Sequence, residues 1–187
     1  QLPNDGYISW HIENSVSPDG KWIAYYIGSA EEEPYDLALH LFNISDGTSY
    51  LISNLIAEGF PENLKPVIET AHFTENDIDC IDPKCKLGIV QSAFKEGMWH
   101  SIDWSPDSQS LAFAAQIDGP SSDIYIYNFG DKSIRRLTDE LENIWSVDWS
   151  PNGEKILYLD SEPGIIYLST NIRIADTKTQ SVQSPKQ

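Results

Sequence analysis

The sequence predicts an all-β fold: β-propeller blades, each a four-stranded antiparallel meander, with three blades recognisable as a partial propeller or part of a larger ring. Three observations carry this. Trp104-Ser105-Pro106-Asp107-Ser108 recurs as Trp149-Ser150-Pro151-Asn152-Gly153, 45 residues later, and as Val16-Ser17-Pro18-Asp19-Gly20, 88 residues earlier. Each copy leads into an apolar run: Ile23-Ala24-Tyr25-Tyr26, Leu111-Ala112-Phe113-Ala114 and Ile156-Leu157-Tyr158-Leu159. Each apolar run leads into an alternating one: Leu39-His40-Leu41, Ile124-Tyr125-Ile126 and Ile172-Arg173-Ile174, starting 21, 18 and 21 residues after the proline. Self-similarity at ~40–45 residues with several short strands per unit marks a propeller blade.

The repeat resembles the TolB-type family of propeller repeats, relatives of the WD-repeat proteins. Their pattern is an aromatic residue, Ser-Pro-Asp-Gly, an apolar strand, an Ile-Tyr-type strand and an Arg-Arg-Leu-Thr-type strand. The central copy carries nearly all of it, down to Arg135-Arg136-Leu137-Thr138. The first copy has Val16 at the aromatic position and Tyr50-Leu51-Ile52 as its last strand, and the third ends in Gln180-Ser181-Val182-Gln183. The resemblance covers roughly 140 of the 187 residues and leaves out Asn54 to Met98. It implies binding platforms, periplasmic scaffolds or gating domains of peptidases, so it specifies fold far better than function.

Taken in order, residues 1–187 form a single propeller-type domain. Gln1 to Ser9 reads as a loop or as an outer strand lent to another blade. The first blade, 10–53, has its innermost strand at Trp10 to Val16, then strands at Trp22 to Gly28, Asp36 to Asn43 and Thr48 to Ser53. Ser17-Pro18-Asp19-Gly20 is a tight turn: proline presets φ, aspartate bonds nearby backbone, and glycine accepts positive φ. Residues 54–98 break the period, with Pro61, Pro66, Pro83 and both cysteines. They are one repeat long yet lack Ser-Pro-Asp-Gly and clean alternation, so an insertion is preferred to a degenerate blade. Blades at 99–138 and 144–183 follow, joined by only five residues, Asp139 to Asn143. Ser184 to Gln187 is a polar end.

The 187 residues suffice for one domain with a sizeable core, and 40% hydrophobic content with six Trp and nine Tyr is globular rather than disordered. A net charge of −17, from 29 acids and 12 bases, argues against nucleic acid and anionic membrane surfaces. It admits a basic partner, bound cations or simple solubility. There is no run of 18 apolar residues to span a bilayer, and no signal peptide is visible in a chain that starts at Gln1. The cysteine pair and the family resemblance together place the expectation outside the cytoplasm.

No enzymatic constellation emerges, and no cofactor is expected. There is no Gly-x-Ser-x-Gly elbow, and Ser17, Ser105 and Ser150 sit in repeated turns where a structural role is expected. His11, His40, His72 and His100 lack zinc spacing. Cys80 and Cys85 read as a local disulfide in preference to half of a zinc set. Asp77, Asp79 and Asp82 bring oxygen ligands together, as calcium favours, without the glycine and distal glutamate of an EF-hand loop. Asp103 and Asp148 share one repeat position before the Trp, which argues for a structural hydrogen bond made once per blade rather than acid–base work. The tryptophans are expected between blades rather than on a sugar-binding platform.

Topology supplies the sharper functional expectation. In such a meander the first-to-second and third-to-fourth turns lie on one face, and the second-to-third loops and blade linkers on the other. The second face collects Glu31, Glu32, Glu33, Asp118, Asp139, Glu140, Glu142, Asp160 and Glu162 together with residues 54–98. Loops on a rigid scaffold are where binding tends to reside, although acidic loops that are merely solvated stay open as an account. The expected function is a non-catalytic, extracytoplasmic module binding a protein partner through this acidic face. The alternatives are the propeller part of a prolyl-oligopeptidase-like peptidase or a carbohydrate-binding propeller. An open arc is also expected to leave Tyr25 and Tyr158 poorly covered. Further blades in a longer chain, a self-completing dimer or a capped monomer would each resolve that.

Overall fold

The computed structural model describes residues 16–27, 38–55, 102–117, 122–140, 143–161 and 170–184. They form three antiparallel sheets, and no helix occurs among them. The first sheet contains β1 (Trp22–Ile27), β2 (Ala38–Asn43) and β3 (Ser49–Asn54), with Val16 bridged to Ile23 beside β1. The second contains β4 (Ile102–Trp104), β5 (Ser110–Ala115), β6 (Asp123–Asn128) and β7 (Ile134–Arg136). The third contains β8 (Asn143–Trp149), β9 (Lys155–Ser161), β10 (Thr170–Asp176) and β11 (Val182–Gln183). Strand order follows chain order in every sheet, which is the meander expected of a propeller blade.

The Ser-Pro turns form because each serine hydroxyl closes a small ring of bonds. Ser17 Oγ donates to Asp19 Oδ1 at 2.7 Å and accepts from Trp22 N at 3.0 Å. Ser105 Oγ donates to Asp107 Oδ1 at 2.6 Å and accepts from Ser110 N at 2.8 Å. Ser150 Oγ donates to Asn152 Oδ1 at 2.8 Å and accepts from Lys155 N at 2.9 Å. The fourth turn position takes φ of 72° at Gly20, 59° at Ser108 and 73° at Gly153, the left-handed region where glycine is unstrained. These serines are structural, as their repeated positions predicted. The turn is tied in all three sheets to the one between the last two strands. Ile44 N donates to Lys21 O at 2.9 Å, Phe129 N to Gln109 O at 3.0 Å and Thr177 N to Glu154 O at 2.9 Å. Both turns of each sheet therefore lie at the same end.

Side chains alternate along each strand, and the two faces of a sheet serve different neighbours. The face turned toward the following sheet is called here the front, the other the rear. The front of the first sheet (Ala24, Tyr26, Leu39, Leu41) packs on the rear of the second (Trp104, Leu111, Phe113, Tyr125) in one buried core. The front of the second (Ala112, Ala114, Ile124, Ile126) packs on the rear of the third (Val147, Ile156, Tyr158, Ala175) in another. Full burial of a Val, Leu, Ile or Phe side chain contributes about 1.5–3 kcal/mol. Phe129 stacks on Trp104 at 5.5 Å and lies 5.5 Å from Trp22, so the described aromatics of this joint pack between sheets.

The expectation for Tyr25 and Tyr158 is corrected. Tyr158 is buried because its register places it on the rear of the third sheet, inside the second core. Tyr25 is buried as well, with its ring 5.6 Å from that of His40 and its hydroxyl bonded to Ser49 at 2.5 Å. The exposed apolar positions of the last sheet are instead Leu157 and Ile172. The innermost strand expected from Trp10, most of 54–98 and Trp99 lie outside the described residues.

Candidate functional site

At the end opposite the Ser-Pro turns, strands β1, β5 and β9 finish and β2, β6 and β10 begin. Here the sheets carry two arginine-centred clusters. In the first, β6 opens on Asp123, which is buried, and the β6–β7 pairing brings Arg136 beside it. Asp123 Oδ1 accepts from Thr138 Oγ1 at 2.8 Å, and its Oδ2 meets Arg136 Nη2 at 2.5 Å. The same guanidinium nitrogen reaches Asp139 Oδ1 at 2.7 Å. Burial pushes the Asp123 carboxyl above its ordinary value, while the bonds from Thr138 and Arg136 pull against it.

In the second cluster Asp160, at 0% exposure, meets Arg173 Nε at 2.7 Å and accepts from Asn171 Nδ2 at 3.0 Å. Arg173 Nη1 reaches out to Glu140 Oε2 at 2.9 Å. Between the clusters, Ser122 Oγ accepts from Ile144 N at 2.7 Å and donates to Ile144 O at 3.0 Å, which joins the second sheet to the third. Each arginine thus links a buried aspartate to an outer acid.

Three residues of the expected acidic face fall among those described. Asp139 is exposed and Glu140 half-buried, and each is paired to an arginine. Asp160 corrects the expectation: it is an internal counter-charge for Arg173 rather than a surface acid. The reason is its place in β9, opposite Asn171 in β10 rather than beyond the strand end. Glu31, Glu32, Glu33, Asp118, Glu142 and Glu162 lie outside the described residues, as do Cys80, Cys85, Asp77, Asp79 and Asp82. Sequence reasoning missed Asp123 and Arg136 as partners. The usable signal is an acid opening the Ile-Tyr-Ile strand and an arginine two residues before Thr138.

Asp103 makes the bond expected of its repeat position: Trp104 N donates to Oδ1 at 2.9 Å and Trp149 N to Oδ2 at 2.5 Å. Asp148, its counterpart, is exposed, and among the described residues its carboxylate makes no hydrogen bond or ion pair, so the bond expected once per blade is not repeated in the third sheet. His40 is partly buried, and burial lowers its pKa. No group of three or more His, Cys, Asp or Glu side chains among the described residues is placed to hold a metal ion. None of the described residues forms a helix able to cross a membrane.

No family model matches the chain. A stretch of 54 residues is 39% identical to the Bacillus subtilis protein named uncharacterized peptidase YuxL, covering 29% of this chain and 8% of that protein. Among solved structures, a protein assigned as TolB from Agrobacterium tumefaciens superposes with a TM-score of 0.59 at 15% identity, covering 98% of this chain and 50% of that one. TolB from Acinetobacter baumannii gives 0.57 at 20% identity, over 98% of this chain and 33% of that one. Acylaminoacyl peptidase from Pyrococcus horikoshii gives 0.55 at 13% identity, over 95% and 24%. The chain spans half or less of the length of each of these proteins. Its fold is that of a β-propeller, similar to TolB and peptidase propellers at identities that carry the fold alone.

Proposed function

We propose that this chain is a non-catalytic propeller module that holds a protein partner outside the cytoplasm, through the end of its sheets opposite the Ser-Pro turns. The observation that carries this reading is the asymmetry between the two ends. One is closed by near-identical turns locked by serine with aspartate or asparagine. At the other, fixed Asp–Arg clusters anchor strand ends from which connections of very different length depart, carrying Glu31, Glu32, Glu33, Asp118, Glu142 and Glu162. A rigid base with variable loops is the arrangement in which binding specificity tends to be built. The loop acids favour a basic partner surface, and their attraction would be screened by salt. The family resemblance and the cysteine pair support the extracytoplasmic setting.

The likeness to YuxL and to peptidase propellers favours a second reading, the propeller portion of a prolyl-oligopeptidase-like enzyme whose hydrolase domain is separate. The carbohydrate reading lacks its platform among the described residues, since Trp104 is buried and Trp22 packs on Phe129. Chemical cross-linking in cells, followed by purification of this chain, tests the proposal. A single protein should be captured by the parent chain, released by raised salt before cross-linking, and lost on replacing Glu31, Glu32 and Glu33 with Gln. Capture insensitive to both changes would remove the acidic loops from the account. Capture of a hydrolase domain would favour the peptidase reading.

A further inference from the structure

The third Ser-Pro turn differs chemically from the other two. Asn152 fills the position held by Asp19 and Asp107, and it is followed by Gly153, the single Asn-Gly pair in the sequence. An asparagine side chain loses ammonia when the main-chain nitrogen of the next residue attacks its amide carbon. Glycine is the residue that hinders this least, having no Cβ and the widest choice of backbone conformation. Asn152 is exposed, so the water that completes the reaction has access to it.

The folded turn restrains both reacting groups. Gly153 N, the attacking atom, donates to Ser150 O at 2.9 Å. The departing amide, Asn152 Nδ2, donates to Glu154 Oε2 at 2.9 Å. Asn152 Oδ1 accepts from Ser150 Oγ at 2.8 Å and from Glu154 N at 3.2 Å. With these bonds in place the side chain is pinned, and ring closure waits for local opening of the turn. The residue two positions on also sets this turn apart. Lys21 stands there in the first copy and pairs with Asp19 Oδ2 at 3.0 Å, and Gln109 stands there in the second. In the third it is Glu154, which needs a donor from Asn152 and would repel a carboxylate.

We propose that Asn152 is a site of spontaneous deamidation, gated by opening of its turn, and that conversion loosens the end of the third sheet. Gly153 N bonds to Asn152 Cγ and gives up its proton, while the bond from Cγ to Nδ2 breaks and ammonia leaves. Water then opens the succinimide ring. Cleavage between the ring nitrogen and Cγ gives aspartate. Cleavage between that nitrogen and the Asn152 main-chain carbonyl carbon gives isoaspartate. Overall, water is consumed and ammonia released. The aspartate product sets its new charge against Glu154. The isoaspartate product adds a methylene to the main chain inside the turn that Thr177 grips. Thr177 N and Oγ1 each donate to Glu154 O at 2.9 Å, and Oγ1 also reaches Gly153 O at 3.3 Å. That grip ties the Ser-Pro turn to the turn between β10 and β11, so its loss releases the outermost strand, Val182–Gln183.

Peptide mapping of the full 187-residue chain, aged at mildly alkaline pH either folded or in urea, tests this. The peptide holding Asn152 should exchange NH for O in mass, and chromatography separates its aspartate and isoaspartate forms. Conversion should be about tenfold slower in the folded chain than in urea, as expected of a turn that must open first. Ser150→Ala should quicken the folded rate about fivefold through one lost hydrogen bond and leave the rate in urea unchanged. Circular dichroism like that of the parent shows that the variant is folded. Hydrogen exchange at Val182 and Gln183 should be faster in the isoaspartate fraction than in fresh protein. Asn152→Asp, which fixes the other product, should be better tolerated in a Glu154→Gln chain than in the parent. A folded chain that converts as fast as the unfolded one would overturn the gate. Folded parent and Ser150→Ala chains that both keep Asn152 intact would overturn the site. Equal exchange in aged and fresh protein, with Asn152→Asp indifferent to Glu154, would overturn the loosening.

Discussion

The backbone amide of Trp149 donates to Asp103 Oδ2 across the joint between the second and third sheets, while Asp103 Oδ1 accepts from its own neighbour, Trp104. One carboxylate thus satisfies two amides on two sheets. Burial raises its pKa, and the two amide bonds oppose the rise. Asp103→Ala is expected to destabilise by about 1–3 kcal/mol, since an amide at a packed joint loses its acceptor. Asp103→Asn, with one oxygen for two donors, should fall between alanine and the parent. Urea unfolding midpoints of the three proteins check this order.

The turn aspartates respond to pH in the opposite sense. The Ser105 hydroxyl, then the Gln109 amide, holds the Asp107 carboxyl below its ordinary value of 3.8. A carboxyl depressed in the folded state stabilises it above the unfolded value and loses that contribution as pH falls through the folded one. The parent should therefore exceed an Asp107→Asn variant in stability at pH 7 by a small margin, and by a smaller one at a pH well below 3.8. Asparagine already serves this turn position at Asn152, so the variant should fold normally. Paired denaturant titrations at the two pH values measure the margin directly.

Arg173 is the partner of a fully buried charge. Arg173→Met should cost about 3–5 kcal/mol, because it strands Asp160 without its counter-ion. Adding Asp160→Asn should recover most of the loss, since the amide keeps an acceptor for Asn171 and removes the charge. Thermal melts of the single and double variants form the check, and an unchanged melting temperature for Arg173→Met would show that the pair is dispensable.

Gln116 stands out as a polar side chain at 0% exposure for which, among the described residues, neither amide atom has a hydrogen-bond partner. Its backbone amide is satisfied by Leu55 O at 2.8 Å, so only the side chain is at issue. Gln116→Leu should raise stability by about 1–2 kcal/mol by removing an unsatisfied buried group. A loss of similar size would instead reveal a partner that the glutamine serves.

Cys80 and Cys85 are expected to be joined in protein isolated under non-reducing conditions, with the peptide that holds both two hydrogens lighter than its reduced form. Because the bond closes a short loop, reduction should shift the melting temperature little. Two free thiols would remove the cysteine argument for an extracytoplasmic setting.

The repeat was legible because its chemistry is local: Ser105 needs only Asp107 and Ser110, all within one turn. Strand positions were legible from alternation, to within a residue or two where they are described. Which face each strand residue serves was not, because parity alone does not say which neighbour a face meets. Tyr158 belongs to a joint rather than an open flank, whereas Tyr25 does lie on the rear of the first sheet and is covered there beside His40 and Ser49. Of the acids expected on one face, three lie among the described residues. Topology brought Asp139, Glu140 and Asp160 to one end, but Asp160 turned inward because Arg173 sits across the strand pair, a relation fixed by register rather than by sequence distance. Asp123 and Arg136 escaped notice for the same reason, being 13 residues apart in sequence and in contact only through the β6–β7 pairing.

The alternation of faces also constrains how such a chain can change length over generations. Leu111 and Phe113 serve one core, and Ala112 and Ala114 the other. A single residue inserted in β5 would exchange the two sets and damage both cores at once. The Ser-Pro turns tolerate no insertion either, since each depends on bonds of fixed reach within six residues. Gains and losses of sequence are thereby channelled into the connections at the opposite end. A lineage could lengthen, shorten or rewrite those connections while the sheets beneath them kept the same geometry.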